Sequence, residues 1–300
     1  SSRPVRVPAA QFRKAGLEPV FLQAMMLDTK TTFDDLVQKI AKDPGRAEAI
    51  IGNRFYQAIT GALSGTHEYM AMEALYELDS QDRYDLIVID TPPTPNALDF
   101  LEAPQRMSSF LEGRLLKWFL LPVVGGGKGL FRIANVAAVQ SLKILRRIIG
   151  AEVLEDTAEF FANFEGMYEG FKQRAREVNE LLREQSTSFV VVTSPAEHAV
   201  ADALAFASTL NDFELPFRAL IVNRVHPACD PPRLTAGAPP VLQAAVEIAE
   251  RLSTLRKAEE GALQRLEHEI EPELWARIPH LTHEVVDLNT LREMARHLFV

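Results

Sequence analysis

A single cysteine, Cys229, stands in 300 residues. One thiol forms no internal disulfide and supplies no cysteine-rich zinc site, and its scarcity suits a reducing compartment, so a cytoplasmic location is expected. Long apolar runs are equally scarce. The longest uncharged one in the middle of the chain, Trp118 to Gly127, lies between Lys117 and Lys128 and is about half of the ~20 residues a bilayer span needs. The N-terminal Ser-Ser-Arg-Pro-Val-Arg-Val-Pro lacks both a starting methionine and the apolar stretch of a signal peptide. It reads as a connection between elements, from which residues upstream of Ser1 are expected. Surplus positive charge is missing too: 32 Lys and Arg against 41 Asp and Glu give a net charge of −9. That balance disfavours a general nucleic-acid binder.

What the chain does have is apolar material, 47% of its residues, enough for a sizeable core. Short apolar runs alternate with long helical patterns, as expected of a parallel sheet buried on both faces. The best strands are Leu86-Ile-Val-Ile, Phe189-Val-Val-Val and Ala219-Leu-Ile-Val, with weaker ones at Phe21 to Leu27 and Ala276 to Leu281. Helices are expected over 32–41, 54–63, 67–78, 196–210, 240–268 and 288–297. The fold class that follows is α/β, a doubly wound and mostly parallel sheet, formed by residues 1–100 and 186–300. Residues 101–185 break the alternation and read as a helical insertion subdomain.

Within the insertion, Phe160, Phe164, Met167, Phe171, Ala175, Val178 and Leu182 recur at three- and four-residue steps, an apolar stripe of the kind that packs a core. Residues 101–150 carry eight basic side chains against two acidic ones. Such a segment suits a hydrophobic helical client or peripheral contact with anionic lipid, and equally a solvated helical cap. Phe119, Leu120, Phe131, Ile144 and Ile148 are the expected lining of a client groove, with Arg146 and Arg147 at its rim.

The most informative stretch is Tyr84-Asp-Leu-Ile-Val-Ile-Asp90-Thr-Pro-Pro-Thr-Pro-Asn. Four apolar residues followed by Asp90 have the pattern of a Walker B strand, whose carboxylate helps to hold Mg²⁺ at the ligand-binding edge of an open sheet. Thr91 and Thr94 supply hydroxyls beside it, and the prolines stiffen the turn.

With the Asp90-Thr-Pro-Pro-Thr turn, the sequence resembles the ArsA family of ATPases, which includes arsenite-pump ATPases and relatives that target tail-anchored membrane proteins. The turn is similar to that family's second switch. Ala24-Met-Met-Leu-Asp-Thr-Lys-Thr-Thr-Phe-Asp-Asp-Leu-Val, Val192-Thr-Ser-Pro-Ala-Glu-His-Ala-Val-Ala-Asp-Ala and Ile221-Val-Asn-Arg-Val extend the resemblance through most of the chain. It implies a P-loop NTPase fold, ATP and Mg²⁺ as cofactors, a homo- or hetero-dimer and a client-binding helical subdomain. On the same ground Asp90, Thr91 and Thr94 are the expected catalytic residues, with Asp90 also the metal ligand. Asn223 is the expected contact to the base, and Pro279 falls near the loop that closes over it. A carboxamide can exchange hydrogen bonds with adenine N6 and N7; a turn-forming Asn after a strand explains the same residue.

The departures are as informative as the matches. No Gly-x-x-x-x-Gly-Lys-[Ser/Thr] loop occurs, although P-loop chemistry needs its backbone amides and lysine around the phosphates. Gly125-Gly-Gly-Lys128-Gly129 has no hydroxyl residue after the lysine, and the family's first switch is missing from residues 1–20. Either the chain is a fragment of a longer ATPase, the favoured reading, or another chain or a rearranged segment fills the gap. One cysteine builds no thiolate site for arsenite, and no Cys-x-x-Cys exists for a dimer-seam zinc. Pro95 has no N–H to offer a γ-phosphate. His280, His283 and Glu284 read as loop residues before the last helix. Two functions from different classes remain: an ATPase coupling nucleotide to the handling of a hydrophobic client, or a non-hydrolysing interaction module or pseudo-ATPase subunit.

Overall fold

Parallel pairing in the C-terminal half of the chain follows the apolar runs closely. The computed structural model describes residues 3–41, 43–62, 66–91, 151–164, 167–233, 239–272 and 274–298. They fall into two compact units: one draws on residues 25–91 and 151–181, the other on residues 5–24 and 182–298.

The second unit opens with a short antiparallel pair, β1 (Val5–Arg6) and β2 (Gln23–Ala24), separated by α1 (Ala9–Lys14). Its centre is a three-stranded parallel sheet in the order β3 (Phe189–Thr193), β4 (Phe217–Val225), β5 (Leu274–Pro279). The connections are α8 (Glu197–Asp212) and α9 (Pro240–Glu269), and α10 (Leu288–Ala295) follows. Parallel crossovers are right-handed in nearly all proteins, so consecutive strands in consecutive order place both connecting helices on one face. Burial agrees with this rule. Val191, Leu220 and Val222 are buried, whereas Val190, Val192 and Leu274, which the register sets on the opposite face, are 50%, 60% and 68% exposed. This is one half of a doubly wound arrangement. Among the described residues the parallel sheet has three strands, and a full doubly wound sheet is not seen.

The run Leu86 to Ile89 differs from its expected state. It takes up no regular secondary structure and pairs with no strand among the described residues, leaving Leu86 78% and Val88 81% exposed. β propensity favours the extended backbone, but a strand exists only where a neighbour accepts its N–H groups. Phe21 to Leu27 likewise contributes only the two residues of β2.

The first unit is helical among its described residues. It contains α2 (Thr29–Ile40), α3 (Pro44–Gly52), α4 (Arg54–Ala62), α5 (Thr66–Asp79), α6 (Ala151–Phe164) and α7, which starts at Tyr168 and runs to Arg183. Its core gathers Phe33, Leu36, Ile50, Tyr56, Met70, Phe160, Phe164 and Phe171. The phenylalanines stack along it, Phe160 on Phe164 at 5.3 Å and Phe164 on Phe171 at 4.9 Å. The periodic stripe of α6 and α7 is therefore core packing: every one of its seven residues is buried. One ion pair enters this interior. Arg174 donates from Nε and Nη2 to Glu73 Oε1 at 2.8 and 2.6 Å, and its guanidinium lies 4.2 Å from the centre of the Tyr76 ring.

Candidate functional site

In an open parallel sheet the strand ends deliver side chains to a crevice at the C-terminal edge, where ligands bind. Such a crevice, of about 700 Å³, opens beside β4 and β5 and is lined by Asn223, Arg224, Pro279, His280, His283 and Glu284 among others. The β4–β5 register shifts between Val222 and Val225, so three steps on β4 match two on β5. Arg224 takes up the extra residue with φ of 61°, in the left-handed region. Bulges of this kind re-aim side chains at the rims of sheets. Here the bulge turns the Arg224 N–H onto Asn223 Oδ1 at 2.8 Å, which holds the carboxamide at the strand end. Pairing then resumes through His280 N–H to Val225 O at 2.8 Å.

Behind the bulge lies a polar arrangement that sequence reasoning missed. Glu259 of α9 is 5% exposed and receives both the backbone N–H of His226, at 3.0 Å to Oε2, and its ring Nδ1, at 2.5 Å to Oε1. The His226 ring stacks on His280 at 5.1 Å. Glu259 thereby ties the chain just after the bulge to the long helix and holds the His226 ring, on which His280 stacks. Nothing in the charged stretch 251–268 distinguishes Glu259 by type. The discriminating signal is position: it occupies the same helix stripe as Ala262 and Leu266, both buried. On the far rim, His283 Nε2 lies 3.3 Å from Glu293 Oε2.

The expected site residues divide between the two units. Asn223 and Pro279 come together on one crevice of the sheet unit. Asp90 and Thr91 are exposed, at the end of the irregular segment that follows α5 in the helical unit. Thr94, the client-groove residues Phe119, Leu120, Phe131, Ile144 and Ile148, and Arg146 and Arg147 lie outside the described residues. A second hollow, of about 510 Å³, is lined by Glu48, Arg54, Glu152, Asp156 and Glu159. Among the described residues no group of three or more His, Cys, Asp or Glu side chains is placed to hold a metal, and no helix is long and apolar enough to cross a membrane.

Comparison with known proteins places this geometry in context. Residues 21–300 match the family model of the anion-transporting ATPases, ArsA_ATPase. The chain is 20% identical to the putative arsenical pump-driving ATPase 2 of Aquifex aeolicus over 271 residues, which is 90% of this chain and 69% of that protein. It is 27% identical to ATPase GET3B of Arabidopsis thaliana over 168 residues, 54% of this chain and 35% of the relative. To ATPase GET3 of Kluyveromyces lactis it is 29% identical over 101 residues, 30% of this chain and 29% of the relative. The chain thus spans about a third of the length of the last two. With the family model covering nearly the whole sequence, and a parallel sheet whose strand ends carry Asn223 and Pro279 into one crevice, the chain belongs to the ArsA family of ATPases.

Proposed function

We propose that this chain binds the adenine end of ATP in the crevice at the edge of β4 and β5, as part of an ATPase that handles a hydrophobic client protein. The observation that carries the reading is the convergence of Asn223 and Pro279 on one crevice. Its volume suits a nucleoside, since small-molecule sites run from about 300 to 1,000 Å³. The Asn223 amide NH₂ is left to donate to a ring nitrogen while Oδ1 stays anchored by Arg224.

Fit differs along the nucleotide. Mg²⁺ takes few protein ligands and keeps waters and phosphate oxygens, so Asp90 alone with Thr91 and Thr94 is an adequate protein share. The triphosphate is not provided for: the 300 residues hold no glycine-rich loop ending in Lys and Ser or Thr. When bound, Mg²⁺ would neutralise phosphate charge. The residues of this chain would hold the base and orient the ion. Dimerisation, an apolar helical client at residues 101–185 and a cytoplasmic location belong to the same proposal. The missing phosphate loop is also what favours the second reading, a non-hydrolysing interaction module built on the same fold.

Titration of the chain with a fluorescent adenine nucleotide tests the base site. Asn223→Ala should weaken binding about tenfold, the worth of one or two hydrogen bonds, without lowering the melting temperature. Equal affinity in the two proteins would end the assignment. In any form of the protein that hydrolyses ATP, Asp90→Ala should abolish turnover and leave stability unchanged, because Asp90 is exposed. The 300-residue chain itself should show no turnover. Asp90-dependent hydrolysis by it would overturn the reading of the phosphate site, and nucleotide binding without hydrolysis in every form of the protein tested would favour the interaction module.

A further inference from the structure

The sheet unit opens on an apolar surface that its own core does not take up. Opposite residues of an antiparallel pair share a face, and the register Val5↔Ala24, Arg6↔Gln23 continues to Val7, whose N–H donates to Leu22 O at 2.9 Å. Val5, Val7, Leu22 and Ala24 therefore lie on one face. Val5 is 53% and Leu22 44% exposed, and Ala24 is exposed beside them. Just ahead of the pairing, Val20 and Phe21 are 58% and 54% exposed. Cations border this surface. The Arg6 guanidinium lies 5.5 Å from the centre of the Phe21 ring, and the last turn of α1, within the connection between the two strands, carries Arg13 and Lys14, both exposed. Residues 3–24 hold four basic side chains and one acidic, Glu18, in a chain of net charge −9. Single exposed apolar residues are ordinary, but neighbouring ones rimmed by polar groups mark an interaction surface.

We infer that this surface docks the protein on anionic lipid. Charge complementarity argues for that occupant. An acidic chain is repelled by an anionic membrane everywhere except where its cations gather, and here they gather beside the side chains that would enter the boundary between headgroups and acyl chains. Apolar burial and electrostatic attraction together hold peripheral proteins at such a boundary, each Lys or Arg being worth about fivefold in partition. The contact is shallow and made by side chains, because an open strand edge is excluded from the hydrocarbon itself. Residues 5–20 lie ahead of the family match, which begins at residue 21. The docking uses neither the nucleotide crevice nor residues 101–150.

Cosedimentation of the 300-residue chain with vesicles, without nucleotide, tests it. The protein should bind vesicles of phosphatidylcholine and phosphatidylglycerol in equal parts, bind phosphatidylcholine alone far more weakly, and come off the mixed vesicles as salt is raised. Arg13→Gln with Lys14→Gln should weaken binding about 25-fold. Val20→Glu with Leu22→Glu should weaken it at least as much, with the melting temperature unchanged, since both side chains are exposed. Lys143→Gln, Arg146→Gln and Arg147→Gln, together, should leave it in place. An environment-sensitive dye on Val20→Cys in a Cys229→Ser background should shift to the blue on the mixed vesicles. A chain that binds neither vesicle, or binds both alike, overturns the proposal. So does binding that follows residues 143–147 instead of residues 13–22, an unchanged dye spectrum on bound protein, or a surface that captures an acidic peptide while ignoring vesicles.

Discussion

Arg174 and Glu73 show how a charge is kept inside the helical unit. Burial pushes the Glu73 carboxyl above the usual glutamate range, against the pull of the two Arg174 hydrogen bonds and its positive charge. The geometry explains why burial prevails: Glu73 Oε2 is enclosed with no hydrogen-bond partner, as is the nearby Tyr69 hydroxyl. A carboxyl raised in the native state takes up its proton there more readily than in the unfolded chain. Its contribution to stability therefore falls as pH rises from the ordinary glutamate range through the native value. Arg174→Met leaves the carboxylate buried without its counter-charge, and a loss of about 3–5 kcal/mol is expected at neutral pH. The loss should shrink at mildly acid pH, where Glu73 is protonated in the variant and needs no partner. Thermal melts of both proteins at the two pH values check the sign; a loss independent of pH would show that packing, not charge, is what Arg174 contributes.

Elements met in sequence fared according to where their information resides. β3 and β4 lie where two apolar runs of branched residues announced them, and β5 (Leu274–Pro279) overlaps the weaker strand expected over Ala276 to Leu281, whose signal Arg277 and Pro279 dilute. The helices 54–62, 66–79, 197–212 and 240–269 also follow from periodicity. α3 was missed although Asp43 accepts from the Gly45 N–H and Pro44 occupies the first turn, a start signal that a search for long periods passes over. The Leu86 to Ile89 run shows the converse limit, since composition reports readiness to pair and not the presence of a partner. For the candidate site, an apolar run ending in Asn223 made its place at a strand end legible and the family resemblance pointed to Pro279, whereas the bulge at Arg224 and the bracing by Glu259 depend on register and burial, which residue type does not encode. Packing between elements is encoded just as locally at Gly170, where α7 passes α2. A Cβ on Gly170 would lie 2.5 Å from Ile40 Cγ2. Gly170→Ala, which in an exposed helix would stabilise by about 1 kcal/mol, should here destabilise by about 1–3 kcal/mol through overpacking. Adding Ile40→Ala should recover part of that, and denaturant melts of the two single variants and the double variant measure the coupling. Additive losses would mean that the two helices do not touch there.

At the scale of the whole molecule, the two units have separate cores, one of stacked aromatic rings between helices and one of aliphatic residues between a sheet and its two crossover helices. Phe171→Ala, in the first, should cost about 3–5 kcal/mol and Leu263→Ala, in the second, about 2–5 kcal/mol. Hydrogen exchange read by mass spectrometry should place each loss in its own unit: residues 29–79 and 151–181 for Phe171, residues 189–279 for Leu263. Equal loss of protection throughout, for either variant, would show a single cooperative core. The order of the sheet bears on how that second unit comes into being. β4 pairs Phe217 with Phe189 across α8, and Ala219 with Leu274 across a connection about twice as long, closed by α9. Doubling a loop adds only about 0.6 kcal/mol of closure entropy, so neither step is a large barrier. The nearer pair has the shorter loop to close and leaves the ribosome earlier, so it is expected to close first. On that order β3, α8 and β4 would serve as the template, and the crevice with its bulge at Arg224, which exists only in the pairing of β4 with β5, would be completed when β5 docks.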